Sequence, residues 1–471
     1  MAAGVTRPPR VAVVGGGIAG LAAAYEAGRQ GAEATVLDAA PHPGGKIRTA
    51  PLRGHPLDAG PDAFLARVPD ATELCRELGL GDRLVSPAVR HAYLWSAGGL
   101  VPFPTGLVLG VPTDVDALAR TGLLSPAGLA SLRADAERSD GPPLLGPGED
   151  TSIGELIRRS VGRELLDTLV DPLLAGILAG DTDELSVAAA APQLAMAARR
   201  GPSLVQGARA VVAASVADPD APIFHGVVPG MGSLVDALVD AIGGPGRVRC
   251  GQRVDALYEA AGGAIRLVGP GLELTVDGVV VAAPAPVASR LVAGWAPGAA
   301  ATLADLDYAS VVVVCTEFDP ADMTRPLDGS GFLVPRPFAT DLLITAVSWA
   351  SSKFAHHGVD GRVRLRVSAG RSDDSRAFDL DDGALVERVR ADLATTMGIA
   401  AAPTAVRVDR WPRSLPQYRP GHLDRMARAE AELAGGGPAV VLAGAALAGV
   451  GLPVCIGGGR RAALDLLARL G

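Results

Sequence analysis

The chain has 471 residues, 48% of them hydrophobic but only 4% aromatic, so a core large enough for two or three domains must be built mostly from Ala, Val and Leu. A net charge of −8, a pI near 5.5 and the lack of any long basic run exclude a basic nucleic-acid-binding surface. Cys75, Cys250, Cys315 and Cys455 show no Cys-x-x-Cys spacing, which argues against a disulfide framework and against a metal site and reads as four thiols in a reducing compartment.

The first ten residues run straight into a strand and leave no room for a signal peptide. The apolar run 11–24 is too short and too rich in glycine to cross a bilayer, which takes roughly 20 residues. A cytoplasmic protein is expected, with at most peripheral contact to the inner membrane face.

Residues 11–24 carry the most informative pattern. Val11-Ala12-Val13-Val14 reads as a buried strand, Gly15-Gly16-Gly17-Ile18-Ala19-Gly20 as a tight turn opening a helix, and Val36-Leu37-Asp38 as a second strand ending in an acid. A dinucleotide needs that order. Gly15 makes the turn, Gly17 lets backbone approach the pyrophosphate, and Gly20 lets the helix pack on the strand. The helix N-terminus offers N–H groups and a positive dipole to the phosphates. Asp38 stands where an acid bonds the ribose hydroxyls, and its charge would repel the 2′-phosphate of NADP. A second turn follows, Gly44-Gly45-Lys46-Ile47-Arg48-Thr49. An NAD domain has no need of it, whereas an extended FAD does, so non-covalent FAD is the expected cofactor.

Further along, Asp58-Ala59-Gly60-Pro61-Asp62-Ala63-Phe64-Leu65 contains a Gly-Pro turn where backbone could meet a flat ligand. Residues 69–80 read as a short amphipathic helix and 91–95 as a strand. Residues 102–215 change texture, with Pro and Gly punctuating helical patterns rich in Leu and Ala, and Thr151 or Ser152 capping one of them. This reads as an inserted helical domain, whose apolar surface lines a substrate cavity, touches a membrane face, or is plain helical core. The α/β character returns over 224–285, with a helix opening at Gly230-Met231-Gly232 and strands over 247–250, 254–258 and 277–284. Strand-like runs at 311–315 and 363–367 suggest a mixed or antiparallel sheet, closed by a helix over 385–397. A strand over 439–444 leads to Gly449-Val450-Gly451-Leu452-Pro453 and to a last helix starting at Gly457-Gly458-Gly459. That second strand–glycine–helix unit would aim a helix N-terminus at the pyrimidine end of the flavin.

With these residues assembled, the chain resembles the FAD-dependent protoporphyrinogen and coproporphyrinogen oxidases of haem biosynthesis. The resemblance rests on residues 58–65, on Pro102-Phe103-Pro104-Thr105-Gly106, and on residues 150–159. It rests most on Gly176-Ile177-Leu178-Ala179-Gly180 within 170–186, on Trp411-Pro412-Arg413 with Pro416-Gln417-Tyr418, and on residues 449–453. It implies an α/β fold: an FAD-binding Rossmann-like domain of the glutathione-reductase/amine-oxidase type, a mixed-sheet substrate domain and an inserted helical domain. The expected division gives residues 1–92, 216–285 and 408–471 to FAD binding, 93–215 to the helical insert and 286–407 to the substrate sheet. The resemblance implies that Gly15 to Gly20, with Asp38 and Ala39, hold the ADP half of FAD. Lys46, Gly60, Pro61, Asp62 and Ala63 would lie along the ribityl–flavin end, Val254 would present backbone to the adenine, and Trp411 would wall the cofactor. Val450, Gly451 and Leu452 would meet the flavin, while Ile177 and Leu178 would line the porphyrinogen cavity.

Two departures stand out. Asp38 replaces the more usual Glu, and Val108 sits where some protoporphyrinogen oxidases carry an arginine for a propionate. Arg67 is the substitute candidate for a carboxylate anchor, its other reading being a solvated surface cation. The implied reaction removes hydride from a methylene bridge and loses a pyrrole proton to solvent or to the tautomerising ring, with dioxygen as acceptor and hydrogen peroxide as product. No side chain is assigned as a catalytic acid or base, and His91, His225 and His422 read as structural. Coproporphyrinogen III is the expected substrate. Protoporphyrinogen IX is the alternative, followed by an amine oxidase or carotenoid desaturase on the same scaffold and by a flavin-binding protein without turnover. The partners expected are the porphyrinogen, dioxygen and a hand-off to later enzymes of the pathway.

Overall fold

The computed structural model describes residues 7–214, 221–435 and 437–471. Its first strand, Arg10–Val14, is apolar on both faces and so must be covered on both. It lies at the centre of an all-parallel five-stranded sheet, in the order Val248–Arg249, Glu33–Leu37, Arg10–Val14, Gly278–Val281, Val440–Leu442. Val11 and Val13 turn to one core, shared with the first helix, Ile18–Arg29, and the last, Leu452–Leu470. Ala12 and Val14 turn to the other core. That side is closed by the antiparallel strands Ala256–Glu259, Ile265–Gly269 and Leu272–Val276 and by three helices, Ala285–Val292, Pro297–Ala304 and His422–Ala434.

A second sheet has seven strands, in the order Ala405–Pro416, Tyr308–Phe318, Val363–Ala369, Ile344–Trp349, Gly331–Leu333, Tyr93–Ser96, Gly99–Pro102. Its Val312, Val314, Leu365 and Val367 pack on Leu385, Val389 and Leu393 of the helix Asp382–Met397. The opposite face is turned to the hairpin Thr49–Leu52/His55–Asp58, with Leu52 and Leu57 against Val313 and Cys315. Residues 115–213 are helical and share one leucine-rich core. Ser152 caps one helix there by accepting from the Glu155 N–H at 3.1 Å. A π-helical turn, Leu166–Val170, runs directly into the helix Asp171–Leu178.

The expected divisions shift where long-range pairing overrides local texture. Tyr93–Ser96 and Gly99–Pro102, assigned to the helical insert, join the seven-stranded sheet because Phe332 and Leu333 pair in parallel with Tyr93 and Leu94. The strand Ala405–Pro416 crosses the expected division at 407/408 and belongs to that sheet throughout. The helices over 285–304, assigned to the substrate sheet, pack instead on the parallel one. The division at 215/216 falls outside the described residues.

The last helix starts at Leu452, not at Gly457, with Pro453 in its first turn. Its glycines are interior because two backbones meet there: a Cβ on Gly459 would lie 2.1 Å from the Ala19 carbonyl oxygen. Gly459→Ala is therefore expected to lower stability by about 1–3 kcal/mol through overpacking. Gly458 faces open space, its nearest atom being Arg461 Nη2 at 3.9 Å. Gly458→Ala is expected to raise stability by about 0.5–1 kcal/mol, as glycine removal inside a helix does. Urea unfolding of the two variants checks the pair, and equal signs would contradict this packing.

Candidate functional site

The two glycine turns form one ledge. Gly15 has φ +112°, and a Cβ there would lie 2.7 Å from the Ala282 carbonyl oxygen, so only glycine fits. The Gly44 N–H donates to the Gly16 carbonyl at 2.7 Å, and a Cβ on Gly45 would lie 3.1 Å from Gly17 Cα. Gly17 itself is ordinary extended backbone, and a Cβ built on it meets nothing within 4 Å. Glycine is thus not required there by the protein's own packing. The space lies directly before the N-terminus of Ile18–Arg29, which has no side-chain cap. An anion at that point would meet the N–H groups of Ile18, Ala19 and Gly20 and the positive end of the helix.

Asp38 is tied into this ledge. Its Oδ2 accepts from the Gly16 N–H at 2.6 Å and its Oδ1 from the Ala40 N–H at 2.8 Å. The shorter aspartate side chain therefore cinches the first turn, and each oxygen keeps a further lone pair. Ala39 beside it is exposed, and Val254 is buried close by, where the Gln252 N–H donates to the Asp38 carbonyl at 2.8 Å.

The ledge continues into a strap, residues 57–63. A Cβ on Gly60 would lie 2.0 Å from the Lys46 carbonyl oxygen, so strap and second turn are in direct contact. The strap's carbonyls face the seven-stranded sheet and accept from its side chains. Leu57 O accepts from Arg407 Nη2 at 3.0 Å, Asp58 O from Arg366 Nε at 2.9 Å, Ala59 O from Trp411 Nε1 at 2.9 Å, and Gly60 O from Arg366 Nη2. Asp62 does not offer a free carboxylate: Lys353 Nζ lies 2.9 Å from both its oxygens and Arg366 Nη1 lies 2.7 Å away. Burial opposes its charge, but the two cations outweigh burial and hold its carboxyl well below the usual range. Arg48 pairs with Asp409 at 2.5 Å and lies over the Trp411 ring. Lys46 is reached by solvent yet crowded by protein, and that desolvation lowers its pKa against the pull of nearby Cys455.

Sequence reasoning missed Arg366 and Lys353. One signal was available: Arg364 and Arg366 alternate with buried Leu365 and Val367, so both arginines share a strand face that has to meet carboxylates or carbonyls. The sheet register also reveals a floor of small residues. Val313, Ser368, Ala346 and Leu333 stand side by side across four strands, with Val311 opposite Trp411 at one end. The helix Asp171–Leu178 closes the other end, since a Cβ on Gly176 would lie 3.2 Å from Leu333 Cδ2.

Gly15 to Gly20, Asp38, Ala39, Lys46, Gly60 to Ala63 and Trp411 thus share one continuous surface. Cys455 brings the first turn of the last helix, with Gly451 as its N-cap and buried Leu452, next to Lys46, and half-buried Val450 packs on the helical core. Ile177 is 52% exposed, whereas Leu178 is buried in the helical core and its carbonyl accepts from Gln417 Nε2 at 3.0 Å. Arg67 is exposed and faces the Gln193 amide; no acidic partner pairs with it among the described residues. His422 is buried, with Nε2 3.0 Å from the Leu447 carbonyl.

Asp58 lies under the strap. Burial pushes its carboxyl up to about 6, against the Thr49 hydroxyl at 2.5 Å, the Arg366 charge and the Met231 N–H at 2.9 Å. The folded protein therefore binds this proton more tightly than the unfolded chain, whose aspartates titrate near 3.9. Stability conferred by Asp58 is full below about pH 4 and declines as pH rises to about 6. Asp58→Asn should remove that decline, so the variant gains on the parent by about 1–3 kcal/mol across this window. Thermal melts at pH 4 and pH 7 test it, and a parent that gains on the variant with rising pH would overturn the assignment.

A model of the flavin containing amine oxidoreductase family matches residues 18–467. The chain is 32% identical over 470 residues to coproporphyrinogen III oxidase of Bacillus subtilis, covering 98% of each chain. It is 30% identical over 488 residues to a chloroplastic protoporphyrinogen oxidase of Oryza sativa, covering 96% of this chain and 87% of that one. The structure of cyclohexylamine oxidase from Brevibacterium oxydans superposes with a TM-score of 0.72 at 18% identity, over 98% of this chain and 99% of the other, which is a likeness of fold alone. With the family model covering residues 18–467 and a 32% identical relative matched over 98% of the chain, the chain belongs to the flavin containing amine oxidoreductase family.

Proposed function

We propose that this protein oxidises coproporphyrinogen III to coproporphyrin III, three dioxygen molecules taking the six electrons and leaving as hydrogen peroxide. The observation that carries the reading is the ledge-and-strap surface, which runs from the open space at Gly17 to Trp411 and ends beside a floor of small side chains. The curated relatives' names support the substrate class.

The ledge fits FAD because Gly17 leaves its space open at an uncapped helix N-terminus. Ile18, Ala19 and Gly20 would give N–H groups to the pyrophosphate. Asp38 would accept from the ribose hydroxyls through its remaining lone pairs, with Ala39 and Val254 flanking the adenosine. Lys46 and residues 60–63 would lie along the ribityl and flavin end, with Trp411 behind them and residues 450–452 at the pyrimidine end. When bound, FAD supplies the hydride acceptor and the route of electrons to dioxygen. Half-buried Ser368 and Ala346 would lie against one face of a wide flat substrate. Ile177 would border that cavity, with Leu178 packing behind it. An amine oxidase would need aromatic walls on both sides of a small substrate, and Trp411 is the one aromatic side chain on this stretch among the described residues.

Arg67 is the proposed propionate anchor, since no carboxylate engages it among the described residues. No helix among those residues is long and apolar enough to cross a membrane. A four-propionate, water-soluble substrate suits such a chain better than protoporphyrinogen IX, which partitions into membranes. Any membrane contact would be peripheral, through exposed Ile177, Met196, Ile223 and Phe224.

Gly17→Asp is expected to fold, because its Cβ meets open space, with an apo-protein melting temperature within about 2 °C of the parent, as for a surface substitution. It should lose bound FAD, because the new carboxylate faces the pyrophosphate. Flavin retained at one per chain would overturn the ledge assignment. For the substrate, kcat/KM measured under air with peroxide counted should favour coproporphyrinogen III over protoporphyrinogen IX. Arg67→Ala should raise KM for the former about tenfold, the equivalent of about 1.4 kcal/mol, and leave FAD content unchanged. A tenfold preference for protoporphyrinogen would select the alternative.

A further inference from the structure

We propose that Arg366 is a positioning residue for the oxidation: its buried guanidinium fixes the strap as a wall for the flavin, and Lys353 completes the fixation through Asp62. This rests on the reading that residues 60–63 lie along the flavin. Arg366 is 9% exposed and stands on the interior strand Val363–Ala369. It serves residues 58, 60 and 62 in turn: Nε to the Asp58 carbonyl at 2.9 Å, Nη2 to the Gly60 carbonyl, and Nη1 to the Asp62 carboxylate at 2.7 Å. The intervening carbonyls of residues 57 and 59 go to Arg407 and Trp411. Residues 58, 60 and 62 are thus bound by one planar fork, and residues 57 and 59 by two side chains of the single strand Ala405–Pro416. A guanidinium spreads five donors over three nitrogens in fixed directions and so spans three acceptors along the strap, whereas the three donors of an ammonium radiate from one nitrogen.

The strap is also held against the second glycine turn: a Cβ on Gly60 would lie 2.0 Å from the Lys46 carbonyl oxygen and 3.8 Å from the Trp411 ring, so it is in close contact with both. Lys353 Nζ, at 2.9 Å from both oxygens of Asp62, brings a second cation to the carboxylate that Arg366 also engages. A fixed positive charge at this depth would raise the reduction potential of a flavin in front of it.

The test uses Arg366→Lys, which keeps the charge and loses the fork, Arg366→Met, which loses both, and Asp62→Asn, which leaves Arg366 in place but frees its Nη1 bond. Melting of the apo-protein, the FAD dissociation constant by fluorescence, the visible spectrum of bound flavin and its midpoint potential are measured for each. The expected result is FAD binding weakened about tenfold or more in both Arg366 variants, with shifted flavin bands, and a lower potential in Arg366→Met than in Arg366→Lys. Asp62→Asn should shift the bands and weaken binding several-fold, which keeps the proposal testable should the Arg366 variants fail to fold. Lowered melting with unchanged affinity, spectrum and potential would reduce Arg366 to a structural staple and overturn the proposal. If the parent binds FAD and Gly17→Asp loses it while these variants leave the flavin unmoved, this inference alone fails. If Gly17→Asp keeps its FAD, the functional reading fails first.

Discussion

The carbonyls of residues 57–60 join the two halves of this molecule. One half is a parallel sheet whose glycine turns make the ledge, and the other is a seven-stranded sheet with a floor of small side chains. The hairpin Thr49–Leu52/His55–Asp58 leaves the first and lies on the second, and its contact there is both apolar and polar. Leu52 and Leu57 bury against Val313 and Cys315, while Arg366, Arg407 and Trp411 take the carbonyls. Apolar burial has no direction, so it holds the hairpin down without fixing where its peptides point. The side-chain donors supply that direction. The relation of ledge to floor therefore depends on a few hydrogen bonds between residues more than 300 positions apart in sequence.

The same device recurs where the helix Asp171–Leu178 closes the floor. Arg371 binds both oxygens of buried Asp171 at 2.9 Å and reaches the Gly180 carbonyl at 3.1 Å, with Arg336 3.2 Å from Asp171. Removing such charges from water is expensive, and an apolar replacement of equal volume is often as stable or more so. Buried arginine forks in this chain are better understood as fixing geometry than as adding stability. Both sit at the margins of the proposed substrate space, where an error of an ångström in a wall has large consequences for reaction geometry.

What was legible in the sequence is what is local. The turn Gly15 to Gly20, the acid at Asp38 and the cap at Ser152 each act within a few residues of themselves, and their spacing states their role. The start of the last helix was misread because Gly457 to Gly459 look like a beginning, and only Ala19, more than 400 residues away, explains why they lie inside a helix. Tyr93–Ser96 and Gly99–Pro102 were placed with their helical neighbours because strand order is set by partners that periodicity does not name. Arg366 and Lys353 were missed for the same reason, although composition held a clue. Only two of the 43 basic residues are lysines, Lys46 and Lys353, and both meet this strap.

The disposition of charge also bears on how such a site can accelerate a reaction. Half-buried Ser368, Ala346 and Leu333 of the floor, and Trp411 at its end, take up and give up no proton near neutral pH. Asp62, Arg366 and Lys353 lie behind the strap and are engaged by one another, with Asp58 beside them under Thr49 and Arg366. They can set an electric field at the front of the wall but cannot touch a reactant there. A redox reaction that passes a hydride to a bound cofactor and releases protons to solvent needs this division, because a free acid or base at the front would offer competing chemistry. The protein's contribution is then a dry, shaped surface with fixed charge behind it, and the hydrogen bonds of residues 57–60 hold that surface in register.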